Sequence, residues 1–251
     1  MNTNQWDNRN SYLGADYELD DRTLGRQMAA SEAFPTLMRK VYVWMTMALV
    51  ISGVAAYGVA TTPGLLQTFY QTPALLWGCI IGELALVFAL SAAINRLSLT
   101  TATLLFVLYS LLNGITLSSV FLVYTMSSIG SVFLITAATF GVMAFVGYTT
   151  KTDLSSMGKI LLMALIGLII ATLVNVFLVK STGFDLIISY AGVLIFVGLT
   201  AYDSQKIKEM LLQAPDAGEG AQKIALLGAL SLYLDFVNLF LYLLRIFGKR
   251  E

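Results

Sequence analysis

Seven apolar runs of about twenty residues each, parted by short polar breaks, constrain this chain more than any motif does. They cover roughly residues 41–60, 74–94, 101–121, 131–149, 160–179, 184–202 and 224–247. A helix rising about 1.5 Å per residue crosses a hydrocarbon layer of about 30 Å in that length. The runs show neither the alternation nor the turn rhythm of barrel strands, which leaves helices as the form that satisfies its own backbone in lipid. Thr61, Thr62, Pro63 and Gly64 with Thr72 and Pro73 bracket the first break, Ser127 to Gly130 the third, and Ser181, Thr182 and Gly183 the fifth. The sixth and seventh runs are joined by a long Gly- and Ala-containing connection over 211–221. Composition agrees: 57% of residues are hydrophobic and 12% charged, where a soluble domain carries about a quarter. The expected class is an all-α membrane protein, a seven-transmembrane-helix bundle over 39–251 preceded by a flexible polar tail over 1–38. That tail has mixed charge and no early apolar stretch of the kind a secretory signal needs.

Several functions are disfavoured by what is missing. The chain has no histidine and one cysteine, Cys79, which lies in an apolar run and is read as filler. The usual general base, the Ser-His and Cys-His dyads and a thiolate metal cluster are therefore absent, and no enzyme and no cofactor are expected. Fifteen Lys plus Arg balance fifteen Asp plus Glu, which points to no nucleic acid or other polyanionic partner. A retinal protein needs a buried lysine for its Schiff base, and no span interior holds one.

Loop charge sets the expected orientation. Arg9, Arg22, Arg26, Arg39 and Lys40 precede the first span, and Arg96, Lys151, Lys159, Lys206, Lys208 and Lys223 fall in loops on the same side. Lys180 alone lies in the opposite loops, so the N-terminus is expected in the cytoplasm. Seven full crossings place Arg245, Lys249 and Arg250 outside; six crossings with a re-entrant last segment would place them inside. The length of the last apolar run favours seven.

Ionisable groups within spans are costly, about 2.5–3.5 kcal/mol at the centre on insertion scales, and they mark candidate sites. Glu83 lies in the second span and Asp235 in the seventh; Asp203 ends the sixth, and Arg96 follows the second. Ser231, Asp235, Asn238, Tyr242 and Arg245 recur at steps of four, three, four and three, which places them on one helix stripe. That stripe is read as lining a transport or gating path, the alternative being a satisfied network that only holds the bundle together. In the third span Tyr109, Asn113 and Thr116 share a face, and Gly114 permits close approach of another backbone. Thr136, Thr139 and Asn175 are read as packing groups.

The run Ala229-Leu-Ser-Leu-Tyr-Leu-Asp235-Phe-Val-Asn238-Leu-Phe-Leu-Tyr-Leu-Leu-Arg245-Ile-Phe-Gly248 resembles the seventh-span signature of the Bax inhibitor family, which carries the transmembrane Bax inhibitor motif. Met38-Arg-Lys-Val-Tyr-Val-Trp44, Asn113-Gly-Ile-Thr-Leu117, Gly147-Tyr-Thr-Thr-Lys-Thr-Asp-Leu-Ser155 and Ala201-Tyr-Asp-Ser-Gln-Lys-Ile207 agree and fall in the right order. The resemblance spans about residues 36–250. It implies a central last helix and a pH-sensitive calcium leak channel of the bacterial type, whose sensor aspartates fall on Asp203 and Asp235. It also implies that Arg96 latches onto Asp203, and that Glu83 is the acidic residue of the second span. The ion path is then expected to involve Glu83, Asn113, Ser231 and Asn238, with calcium dwelling transiently at Asp203 and Asp235, because a hard cation seeks carboxylate oxygens. Two carboxylates within hydrogen-bonding distance cannot both ionise cheaply, so such a pair shares a proton and titrates as one unit. Proton loss would move the seventh helix against the sixth, by repulsion or by capture of one carboxylate by Arg96; acid either opens or closes the path. The rival readings are a proton/cation antiporter and a non-conducting regulator that binds other membrane proteins, such as a protease or a cell-death factor. The expected location is a bacterial inner membrane, with the bilayer, calcium and protons as partners.

Overall fold

The computed structural model describes residues 4–214 and 217–250, with side chains described from Glu32 onward except Leu66, Tyr70 and the undescribed positions. The first helix, α1, runs Asn4–Thr61. The polar tail expected over 1–38 falls largely outside the described side chains; within its last residues, Leu37 and Met38 are already buried in the core. Pro63 and Pro73 each open a helix at its first position, where the missing N–H costs nothing. They start α2 (Pro63–Gln71) and α3 (Pro73–Ala93), so the first break contains a short helix of its own.

Ser98 caps α4 (Leu99–Leu117) by accepting the Thr101 N–H at 3.1 Å. The third span extends to Val123, but its helix is interrupted after Leu117 for a local reason. Ser118 and Ser119 turn their hydroxyls back onto the carbonyls of Ile115 and Thr116, at 2.6 and 3.0 Å, which competes with further helix. A single turn, α5 (Val120–Val123), follows, and α6 (Met126–Thr149) begins five residues ahead of the sequence boundary. Next comes α7 (Ser155–Val174), which ends in a π-helical turn, Asn175–Val179. Lys180 then takes a left-handed conformation at φ 50°, and the Asn175 side chain accepts the Ser181 N–H at 3.1 Å.

The last two helices depart most from the expected boundaries. Helix α8 runs Thr182–Leu212, ten residues past the apolar run, and α9 runs Glu219–Phe247. The connection between them is therefore 213–218, shorter than the 211–221 loop expected. The polar stretch Asp203-Ser-Gln-Lys conceals a continuing stripe, because Ile207 and Leu211 lie one and two turns on and are both buried.

Seven of these helices are long and apolar enough to cross a membrane. In α9, 61% of the apolar window is buried, against 6% in α3. The last helix is accordingly the axis of the bundle, touching α1, α4, α6 and α8, whereas α3 packs mainly on α4 at the rim. Its two ends lie at opposite faces. Near its start, Lys40 donates to Gln222 at 3.2 Å. Beyond its end, Lys249 donates its N–H to Ser128 Oγ at 2.9 Å and accepts from the Thr125 N–H at 3.1 Å. The final helix thus runs the full length of the bundle, and Arg245, Lys249 and Arg250 stand opposite the end where Lys40 and Lys223 lie.

Candidate functional site

The stripe on α9 meets a matching stripe on α8. Asp185, Ser189, Gly192, Phe196, Leu199 and Asp203 follow one another at steps of four, three, four, three and four, which keeps them on one helix face. The helices run antiparallel, and the two faces meet in register. Arg245 pairs with Asp185 at 3.5 Å. The Tyr242 ring stacks on Phe196 with centroids 5.8 Å apart. It also lies over Gly192, where any Cβ would come within 2.7 Å of it. Farther along, Asp203, Ser231, Asp235 and Asn238 line one cavity of about 300 Å³, closed on a third side by Leu162, Leu165 and Ile169 of α7. From Asp185 to Asp203 the face rises about 27 Å, close to the hydrocarbon thickness.

Asp235 is 4% exposed. Its Oδ2 is the one buried side-chain polar atom among the described residues that lacks a hydrogen-bond partner. Asp203 also lines a second cavity of about 210 Å³ that it shares with Ser91, Lys206 and Ser231. Asn238, also in the cavity lining, donates to the Leu234 carbonyl of its own helix at 2.8 Å, which leaves its amide oxygen free to accept. Among the described residues no three His, Cys, Asp or Glu side chains converge. A cation in the cavity would meet two carboxylates and the oxygens of Ser231 and Asn238, a set suited to brief dwelling rather than to a caged ion.

Arg96 is not ion-paired with Asp203. It is exposed, and the two ion pairs found among the described residues, Lys223–Glu219 and Arg245–Asp185, do not include it. The cation that shares a cavity with Asp203 is Lys206.

The four residues expected along the ion path divide into two groups. Ser231 and Asn238 line the cavity with Asp235. Glu83 and Asn113 belong to a separate network on another side of α9. Asn113 donates to Glu83 Oε2 at 3.1 Å, and the Thr116 hydroxyl donates to Glu83 Oε1. Tyr233 donates to Asn113 Oδ1 at 2.8 Å and shares a 2.6 Å hydrogen bond with Ser52, which in turn donates to the carbonyls of Ala48 and Ser110. The physical reason is helical periodicity: Tyr233 and Asp235 are two residues apart and point about 200° away from each other. Neither Tyr233 nor Ser52 stood out in the sequence. The available signal was a tyrosine in mid-span, away from the interfaces where the residue usually sits.

The two short motifs around the fourth and sixth spans touch. A Cβ at Gly147 would come within 2.0 Å of the Ala201 carbonyl oxygen, so only glycine lets α6 and α8 pack this closely. Ser204 donates to the Ala144 carbonyl and Lys208 to that of Tyr148, each at 2.8 Å. Gln205 accepts the Leu154 N–H and donates to the Thr152 carbonyl, both at 2.8 Å, and so staples the α6–α7 connection to the helix that carries Asp203. In that connection Asp153 accepts the Ser155 N–H at 2.8 Å at the start of α7. Hydrogen bonds from the Ser155 side chain and backbone hold the Asp153 carboxyl below its ordinary value.

Residues 35–251 match the family described as Inhibitor of apoptosis-promoting Bax1. The chain is 50% identical over 217 residues to "Inner membrane protein YbhL" of Escherichia coli K12, covering 86% of this chain and 92% of the relative. It is 46% identical over 214 residues to an uncharacterized protein of Borreliella burgdorferi, covering 85% and 92%. It is 40% identical over 238 residues to the uncharacterized protein RP147 of Rickettsia prowazekii, covering 94% and 99%. With seven spanning-length helices around a central last one, the chain belongs to the Bax inhibitor family of multi-pass membrane proteins.

Proposed function

We propose that the face shared by α8 and α9 is a passive calcium leak path, governed by protonation of the Asp203 and Asp235 pair. The observation that carries this reading is the unpartnered Asp235 Oδ2, buried in a cavity that Asp203 also lines. A carboxylate oxygen without a donor is expensive inside a membrane protein, and the least costly ways to satisfy it are a proton or a cation. With the pair protonated, the cavity is neutral and α8 and α9 sit together. With protons lost, the two carboxylates repel, and a cation entering the cavity relieves that repulsion. In this reading Arg96 pairs with Asp203 only in a conformation other than the one described. The Lys and Arg bias of the loops supports a cytoplasmic N-terminus, and the printed name of the Escherichia coli relative supports a bacterial inner membrane as the location.

The test is calcium flux into dye-loaded liposomes holding the purified protein, across about pH 5–8, beside Asp203→Asn and Asp235→Asn. The expected result is a leak with a pH midpoint that either substitution flattens or moves. Folded protein that passes no calcium at any pH would end the channel reading.

A further inference from the structure

The cavity that holds Asp235 stops at Tyr242, and a separate pocket begins just beyond it. That outer pocket, of about 320 Å³, is lined by Thr182, Asp185, Ser189, Arg245 and Arg250. Between the two stands one layer of side chains. The Tyr242 ring is stacked on Phe196 and held over Gly192, where no other residue leaves room for it. The Arg245 guanidinium lies 5.4 Å from the centroid of the same ring and is tied across to Asp185 at 3.5 Å. One residue on α9 therefore fills the gap between the helices, and a second, one turn farther out, covers it and ties α9 to α8. A planar cation over an aromatic face attracts it, so the pair and the ring hold one another in place.

We infer that Tyr242, fastened by the Arg245–Asp185 pair, is the seal that separates the carboxylate cavity from the outer pocket. The seal rests on the cavity of the reading above, and supplies the barrier at the outer end of the path proposed there. Its ring blocks the space between the helices, while its fastening is solvent-accessible: the Arg245 and Asp185 side chains are each 36% exposed. The fastening is thus weak by construction, since an ion pair in contact with water holds little energy. Movement of α9 against α8 breaks it with little resistance, lifts the ring from Phe196 and joins the two pockets.

The experiment reads access rather than current, so that it stands apart from the leak. In a Cys79→Ala background, Asn238→Cys places a thiol one turn inside the seal, and Ser231→Cys places another two turns farther in. A membrane-impermeant thiol reagent is applied to sealed proteoliposomes captured by a tag on the C-terminus, so that the outer face is exposed. With Tyr242 in place, Asn238→Cys reacts slowly; with Tyr242→Ala its rate rises about tenfold, and Tyr242→Phe stays slow. Asp185→Arg also speeds the reaction, and Asp185→Arg combined with Arg245→Asp slows it again, which a merely misfolded variant would not do. Equal rates with and without Tyr242, or no restoration by the charge exchange, would overturn the seal. Calcium flux measured in the same vesicles separates the two readings. Gated thiol access with no flux in any variant keeps the seal and rejects the leak, whereas flux with ungated access keeps the leak and rejects the seal.

Discussion

Asp235 shows how one side chain can be costly to the fold and still be the centre of the site. Its Oδ2 has no partner among the described residues, in a position only 4% exposed. Replacing the carboxylate by an amide of the same shape removes the charge and adds a donor. Asp235→Asn is therefore expected to unfold later than the wild type at pH about 8, by about 1–3 kcal/mol, while it loses the pH response of the leak. Thermal unfolding in detergent at that pH checks this, and a lower midpoint would refute it. Tyr233 is the opposite case, a group whose hydroxyl is engaged on both sides by Ser52 and Asn113. Tyr233→Phe keeps the ring and deletes those bonds, at an expected cost of about 1–2 kcal/mol with the pH midpoint of the leak unmoved. A shifted midpoint would tie the Glu83 network to the gate. Asp235 was visible in the sequence because a carboxylate in an apolar run is conspicuous. Tyr233 and Ser52 were not, because tyrosine and serine are ordinary in such runs and acquire meaning only from the groups opposite them.

Helix α8 is the element on which the other motifs converge. Its extension past Tyr202 lets Ser204, Gln205 and Lys208 reach α6 and the α6–α7 connection, so the segment flanking Asp203 is braced on two sides. Hydropathy ended the span at the polar run; the buried Ile207 and Leu211 show that the amphipathic pattern continued through it. Just ahead of α7, Asp153 accepts the Ser155 N–H at 2.8 Å. Because its carboxyl is held below the ordinary 3.8 by Ser155, the ionised form is favoured in the folded state, so its stabilisation is present above that value and lost as pH falls through the lowered one. Asp153→Asn should therefore lower the unfolding temperature at neutral pH, and the difference should shrink below the ordinary value and vanish in acid below the lowered one. A difference that persists there would mean the residue acts by packing.

At the scale of the whole molecule, an odd number of spanning-length helices sets the start of the first span and the end of the last at opposite ends of the bundle. The contacts of Lys249 with Thr125 and Ser128 put the C-terminus at the end of the bundle away from Lys40 and Gln222. A protease site appended to the C-terminus should be cut from outside sealed cells, and one appended to the N-terminus only after lysis. Cutting of both from the same side would restore the re-entrant alternative. The last helix brings Arg245 beside Asp185 at its C-terminal end, so the basic residue that looked out of place in the loop tally has a partner in the fold.

The number of spans, their helical form and the positions of Asp203, Asp235 and Glu83 were legible in the sequence alone, because length, hydropathy and a carboxylate's cost in lipid are local properties. The centrality of the last helix came from resemblance to a family, and the packing bears it out. Which faces meet was decided by the tertiary structure. In a bilayer the surroundings of a helix are as apolar as its partners, so no apolar stripe marks the inward face as it would in water. The antiparallel register of α8 and α9 gathers Asp203, Ser231, Asp235 and Asn238, and sets Tyr242 over Gly192. The same helix turns Tyr233, Asn113 and Glu83 to a different side. Both outcomes follow from contacts between residues far apart in the chain, for which the sequence carries no local period.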